Sequence, residues 1–180
     1  MFYLLIVIAA ASRLFPHPPN FVCVGALGLF AGCYLSGWKA YLVPLSAMLL
    51  SDALGHLLEI PGMGFYQPVT MAFVYVGLAL AVPVGRWMNH TRWRLRMPAG
   101  SLAASSLFFL ISNLGVWMSG WYAMTFAGLI ACYVNAIPFF GYTIAGDLTY
   151  TVLLFGAYEF VGFASRDVTR RDSTATRRVS

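Results

Sequence analysis

The sequence predicts an all-α protein: a polytopic membrane helical bundle of about six transmembrane helices, with a broken or re-entrant segment before the last. Three observations carry this. Of 180 residues, 60% are hydrophobic and only 9% are charged, whereas soluble domains carry roughly 25% charged side chains. The mean hydropathy is +0.75. The apolar residues gather into runs close to the ~20 residues a helix needs to cross a bilayer core. Six acidic and eleven basic side chains cannot coat a water-soluble surface around this bulk. An ordinary soluble enzyme and a disordered chain are thereby excluded. Three widely spaced cysteines give no disulfide framework.

The first apolar run, Phe2 to about Phe15, is short and is stopped by Pro16-His17-Pro18-Pro19. It also resembles a signal peptide, with Ala9-Ala10-Ala11 as a faint cleavage site, but lacks a positive start. The second run spans about Phe21 to Gly37. The third, Ala40 to Ile60, carries Asp52 and His56. The fourth lies between Gln67 and Trp87, and the fifth runs from Ala99 to Met118. The stretch from Trp121 to Ala164 exceeds one span, and Pro138 and Gly141 divide it. It reads as a short or re-entrant helix, Tyr122–Ile137, and a last span, Tyr142–Ala164. Residues 1–165 then form the transmembrane domain, and residues 166–180 a basic, disordered cytoplasmic tail.

Arginines at span ends collect on the cytoplasmic side. Lys39, the group Arg86, Arg92, Arg94 and Arg96, and the tail arginines fall on one side if Tyr122–Ile137 does not cross. That gives six spans in an inner membrane with both termini cytoplasmic. Seven spans would leave the arginine tail outside. The tail suits anionic lipid head groups and, without a folded basic domain, not nucleic acid.

On this topology the unusual polar residues fall in the outer half. Arg13, His17 and Asn20 sit between the first two spans. Asp52, His56 and Glu59 lie in the outer half of the third, Asn113 and Trp117 in that of the fifth. Asn135 and Asp147 flank the Pro138 break. Polar groups in hydrocarbon are costly and mark function or pairing. The asymmetry predicts a pocket open outward and closed below, whereas an ion pathway would need polar groups through both halves. Asp52 and His56, four apart, share a helix face. They read either as a ligand-facing stripe or as structural groups, Asp52 paired with Arg13 and His56 with a carbonyl. A metal site from His17, His56 and Asp52 matches no metal motif, and no cofactor signature is present. Asn20 reads as an N-cap of the second span. Gly25, Gly28, Gly32 and Ser36 form a small-residue ridge for close packing, within the bundle or on a partner. There is no Walker A loop, and Ser105, Ser106 and Ser112 lack a recognisable catalytic partner.

Arg13-Leu14-Phe15-Pro16-His17-Pro18-Pro19-Asn20-Phe21 resembles the opening signature of an uncharacterised family of small bacterial integral membrane proteins. Pro44 to Asp52, Ser106 to Asn113, Ile137 to Phe140 and Gly146 to Leu148 look similar to further elements of it. The layout also resembles the substrate-binding S components of energy-coupling factor transporters. That resemblance implies a vitamin or metal-ion ligand and docking on a transmembrane coupling subunit with ATPases. S components commonly carry their small-residue docking ridge in the first helix, whereas here it is in the second. The leading expectation is a substrate-capture subunit whose pocket is lined by Asp52, His56, Asn113, Trp117, Asn135 and Asp147, with Arg13, His17 and Asn20 at its lid. The alternatives are a membrane enzyme using Asp52 and His56, and a stand-alone channel or carrier.

Overall fold

A computed structural model describes the backbone of residues 2–14, 18, 20–61, 63–88 and 93–177, and side chains within residues 6–161 of that set except 93. His17 lies outside the described residues. Among the described residues every regular element is a helix: α1 (Phe2–Ser12), α2 (Val24–Tyr34), α3 (Lys39–Leu57), α4 (Pro68–Ala79), α5 (Ala81–Met88), α6 (Trp93–Met118) and α7 (Phe126–Arg177). Only Leu80 separates α4 from α5, so the two form one rod, and the bundle has six rods. Four stretches are long and apolar enough to cross a membrane: Lys39–Leu57, Pro68–Met88, Arg94–Met118 and Phe126–Val161.

The centre of the bundle is a short helix. α2 has 11 residues, about 16 Å at 1.5 Å per residue, roughly half of a ~30 Å hydrocarbon core. It is apolar on every side and touches every other helix, as a helix hydrophobic all round must be buried. Its glycines set the approach of its neighbours. A Cβ on Gly32 would run into the backbone of Val82, and one on Gly85 into that of Leu29. Gly28 meets Ala81 and Pro44, and Gly25 meets the Asp147 carboxylate. The Gly25–Gly28–Gly32 ridge is thus committed inside the bundle. Leu27 and Ala31 of α2 pack with Ala40, Val43, Ala47 and Val82 on one side, and its Leu29 and Phe30 with Met88, Ala104 and Phe155 on the other.

α6 and α7 run antiparallel along their whole shared length. Cys132 Sγ donates to the Asn113 carbonyl at one end. Phe109 packs on Phe140 and Ser105 bonds Asp147 in the middle. Arg94 pairs with Glu159 at the other end.

Two expectations are corrected here. The divided segment is absent, because Pro138 lies inside a continuous α7. A proline removes one backbone bond and disfavours the helix by about 3 kcal/mol. Packing of the preceding turns on α6, including Tyr133 Oη donating to the Leu110 carbonyl at 2.6 Å, holds the helix through it. Asn20 is not the N-cap of α2. That position is Cys23, with no side-chain cap, and Asn20 lies in a turn at φ +62°. The helical backbone continues to Arg177. No proline or glycine after Gly162 interrupts it.

The described residues of the loops after α1, α3 and α6 gather at one end of the bundle. The turn 35–38 and residues Arg86, Arg94 and Arg96 lie at the other, where Arg86 Nη2 donates to the Gly37 carbonyl at 2.6 Å.

Candidate functional site

At the loop end, the turn after α1 carries Arg13 against α3. Arg13 Nη1 donates to Asp52 Oδ1 at 2.9 Å and to Ser51 Oγ. Tyr75 Oη of α4 donates to Asp52 Oδ2 at 2.9 Å. Asp52 is 2% exposed and Arg13 12%. Both carboxylate oxygens are therefore engaged, and the buried charge has a full counter-charge. This network ties α1, α3 and α4 together. Partial burial pushes the phenol of Tyr66, in the neighbouring loop and still half exposed, above its ordinary value; the Asp52 charge acts the same way and Arg13 opposes it.

A cavity of about 190 Å³ opens beside this network, lined by loop residues Asn20 and Tyr66 and by α4, α6 and α7. Asn20 and Tyr66 are both exposed, which makes the loop end its mouth. Rings from Tyr66, Phe108, Phe109 and Phe139 form much of the wall, with Thr70, Ser112, Asn113 and Thr143 as its polar points. A second cavity of about 40 Å³ adjoins it through Asn20, Phe108 and Thr143, and reaches Gly25 and Asp147.

The polar wall groups have already used donors on their own helices. Ser112 Oγ donates to the Phe108 carbonyl at 2.7 Å, Asn113 Nδ2 to Phe109 at 2.7 Å and Thr143 Oγ1 to Phe139 at 3.0 Å. Such back-bonding to the carbonyl four residues earlier leaves oxygen lone pairs facing outward from each group. Thr70 shares a hydrogen bond with Ser119 Oγ at 2.6 Å.

Asp147 is the carboxyl group of the smaller cavity. It is 4% exposed and accepts from Ser105 Oγ at 2.6 Å. The amide of Ala26, in the first turn of α2, also faces it. The first amides of a helix lack intrahelical partners, and α2 has no cap of its own, so a carboxylate from α7 serves that end. Among the described residues Asp147 has no cationic partner, in contrast to Asp52. Below it, Ser101 and Thr151 lie one helical turn further along α6 and α7. Both are 0% exposed, and their hydroxyls have no hydrogen-bond partner among the described residues. Ser101, Ser105, Thr143, Asp147 and Thr151 thus form a polar seam that continues towards the arginine end.

The predicted residues divide into three groups. Asn20, Asn113 and Asp147 meet at the paired cavities. Arg13 and Asp52 form the buried pair and line neither cavity. His56, Trp117 and Asn135 lie away from both. His56 is exposed in the last turn of α3, with Phe65 at 5.8 Å between ring centroids. Trp117 Nε1 donates to the Ala123 carbonyl at 3.0 Å. Asn135 is exposed and donates to Tyr122 Oη at 3.3 Å. Asp52 and His56 share a helix but not an environment, because α3 passes out of its packing after Gly55. Among the described residues no three His, Cys, Asp or Glu side chains come together as a metal site.

The residues not anticipated as site members are Tyr66, Thr70, Tyr75, Ser112 and Thr143, with Ser105 behind them. Spacing carried part of the signal. Thr143, Asp147 and Thr151 recur every four residues on α7, and Ser101 and Ser105 do so on α6, each placing a polar stripe on one face.

No curated protein and no solved structure matches the chain. The sequence profile of a family of unknown function matches residues 1–170. This bundle, with its loop-end cavities and buried Asp147, therefore belongs to that family, DUF6580.

Proposed function

We propose that the chain is a substrate-binding subunit of the inner membrane, similar in role to the S components of energy-coupling factor transporters. It captures a small micronutrient, such as a vitamin or a metal ion, and presents it to a transmembrane coupling subunit with ATPases. The observation that carries the reading is the cavity of about 190 Å³ with its mouth among the loops. An engineered protein cavity of about 150 Å³ accommodates benzene, so the space suits one small ring or its equivalent. With arginines at the opposite end, the positive-inside rule directs the mouth outward and both termini into the cytoplasm. The basic tail then meets anionic lipid. Because the α2 glycine ridge is used internally, docking on a coupling subunit falls to another face.

The test is purification in mild detergent followed by native mass spectrometry. A small molecule retained at one per chain is expected, together with a stoichiometric subunit bearing ATPases. A chain that carries neither, from cells grown with limiting micronutrients, contradicts the proposal.

A stand-alone carrier is the second reading, and the polar seam from Thr143 to Thr151 favours it. Flux of the retained molecule into liposomes containing only this chain would decide for the carrier.

A further inference from the structure

Among the described residues no lysine, arginine or histidine lines either space. A phosphate or carboxylate ligand would meet no counter-charge among the described residues. Ser112 and Thr143 have committed their hydroxyl donors to their own helices, and Asn113 one of its two, so the two hydroxyls turn oxygen lone pairs to a ligand. Asp147 adds a carboxylate that is 4% exposed and has no cationic partner among the described residues.

The N-terminus of α2 reaches Asp147 through the amide of Ala26. A helix end carries about half an elementary charge, too little to serve as a full counter-charge for a buried carboxylate. A cationic ligand would supply that counter-charge. The larger cavity adds the faces of Tyr66, Phe108, Phe109 and Phe139. Aromatic faces attract cations and flat rings. Asn20, Phe108 and Thr143 border both spaces, so one molecule reaches from the aromatic chamber to the carboxylate.

We infer that the ligand is a compact aromatic monocation, with its ring in the larger cavity and a protonated amine directed at Asp147. This rests on the proposed ligand-capture role and specifies its chemistry. The larger cavity, about 190 Å³, takes the ring, and the smaller, about 40 Å³, takes little beyond the ammonium group. Ser105, which holds Asp147 Oδ2 at 2.6 Å, is a positioning residue for the carboxylate.

Three probes of nearly equal size separate the charge from the shape: benzylamine (+1), benzyl alcohol (neutral) and benzoate (−1). Binding is measured at pH 7 to the purified full chain in detergent, by calorimetry and by the thermal unfolding midpoint. The expected order is benzylamine, then benzyl alcohol, then benzoate, with at least about tenfold between the first two, as a charge-assisted bond provides. Asp147→Asn should bring benzylamine to the level of benzyl alcohol. If benzyl alcohol or benzoate binds as tightly as benzylamine, the cationic class is overturned while the cavity keeps its role. If no probe binds at millimolar concentration, the aromatic-cation chemistry is overturned, while a small molecule retained by the purified chain would still uphold the ligand-capture role. The wild-type series decides between these outcomes even if Asp147→Asn does not fold.

Discussion

Removing one member of the Arg13–Asp52 pair should cost far more than the pair contributes. At the observed 2.9 Å and an effective dielectric near 20, the Coulomb attraction is about 6 kcal/mol. Withdrawing each ion from water costs several kcal/mol in return, so the intact pair nets little. Asp52→Asn leaves the Arg13 charge, 12% exposed, without its counter-charge. The expected loss is about 3–5 kcal/mol. Arg13→Met leaves Asp52 with the Tyr75 hydroxyl as its remaining side-chain donor among the described residues and should cost a similar amount. The double variant removes both charges and should lose clearly less than the sum, with a coupling energy of at least about 2 kcal/mol. Tyr75→Phe, which deletes one bond to a charged acceptor, should cost about 1.5–3 kcal/mol. Reversible denaturant unfolding in mixed micelles, followed by far-UV circular dichroism, measures all four. Single variants below about 1 kcal/mol that add within about 0.5 kcal/mol would place the pair in a water-like setting and refute the reasoning.

Other perturbations follow from the same packing. Thr151→Val replaces a buried hydroxyl that has no partner among the described residues and should be neutral or stabilising by about 1 kcal/mol in the same assay; a clear loss would reveal a hidden partner. Gly32→Ala drives a Cβ into the Val82 backbone and should destabilise by about 1–3 kcal/mol. Gly141→Ala meets nothing within 4 Å and should stabilise α7 by about 0.5–1 kcal/mol. For orientation, Cys23, Cys33 and Cys132 are all buried, so introduced cysteines report cleanly. An impermeant maleimide on intact spheroplasts should label Trp121→Cys at the loop end and not Trp38→Cys at the other. The reverse pattern would invert the topology.

The bundle was legible where hydropathy and length are the whole signal. α3 is expected from Ala40 and runs from Lys39, and the Gln67–Trp87 span is the α4–α5 rod. Helix ends were less legible. α6 begins at Trp93 rather than Ala99, because arginines end an apolar run without ending a helix. α7 passes Pro138 because neighbours stabilise what the local sequence disfavours. The same logic divides the site. Charged residues stand out in apolar runs, and Asp52 and Asp147 are indeed buried. Their opposite circumstances, one beside Arg13 and the other without a cation among the described residues, depend on contacts between distant segments. Asn135 and Trp117 look equally unusual as letters, yet satisfy themselves near the loop end. Serine and threonine blend into membrane helices because they can bond their own backbone. Their role at the cavity wall and in the α6–α7 seam emerges only once the helices are paired.

The most direct test of the account is whether filling the cavity expels the ligand. Ala136 lines the larger chamber and is buried, so Ala136→Phe places a ring where the ligand ring would lie. Native mass spectrometry of this variant beside the wild type should show the retained small molecule lost while the unfolding midpoint of the ligand-free chain stays within a few degrees. Retention of the molecule at full occupancy by a folded Ala136→Phe protein would contradict the assignment of this cavity as the binding site.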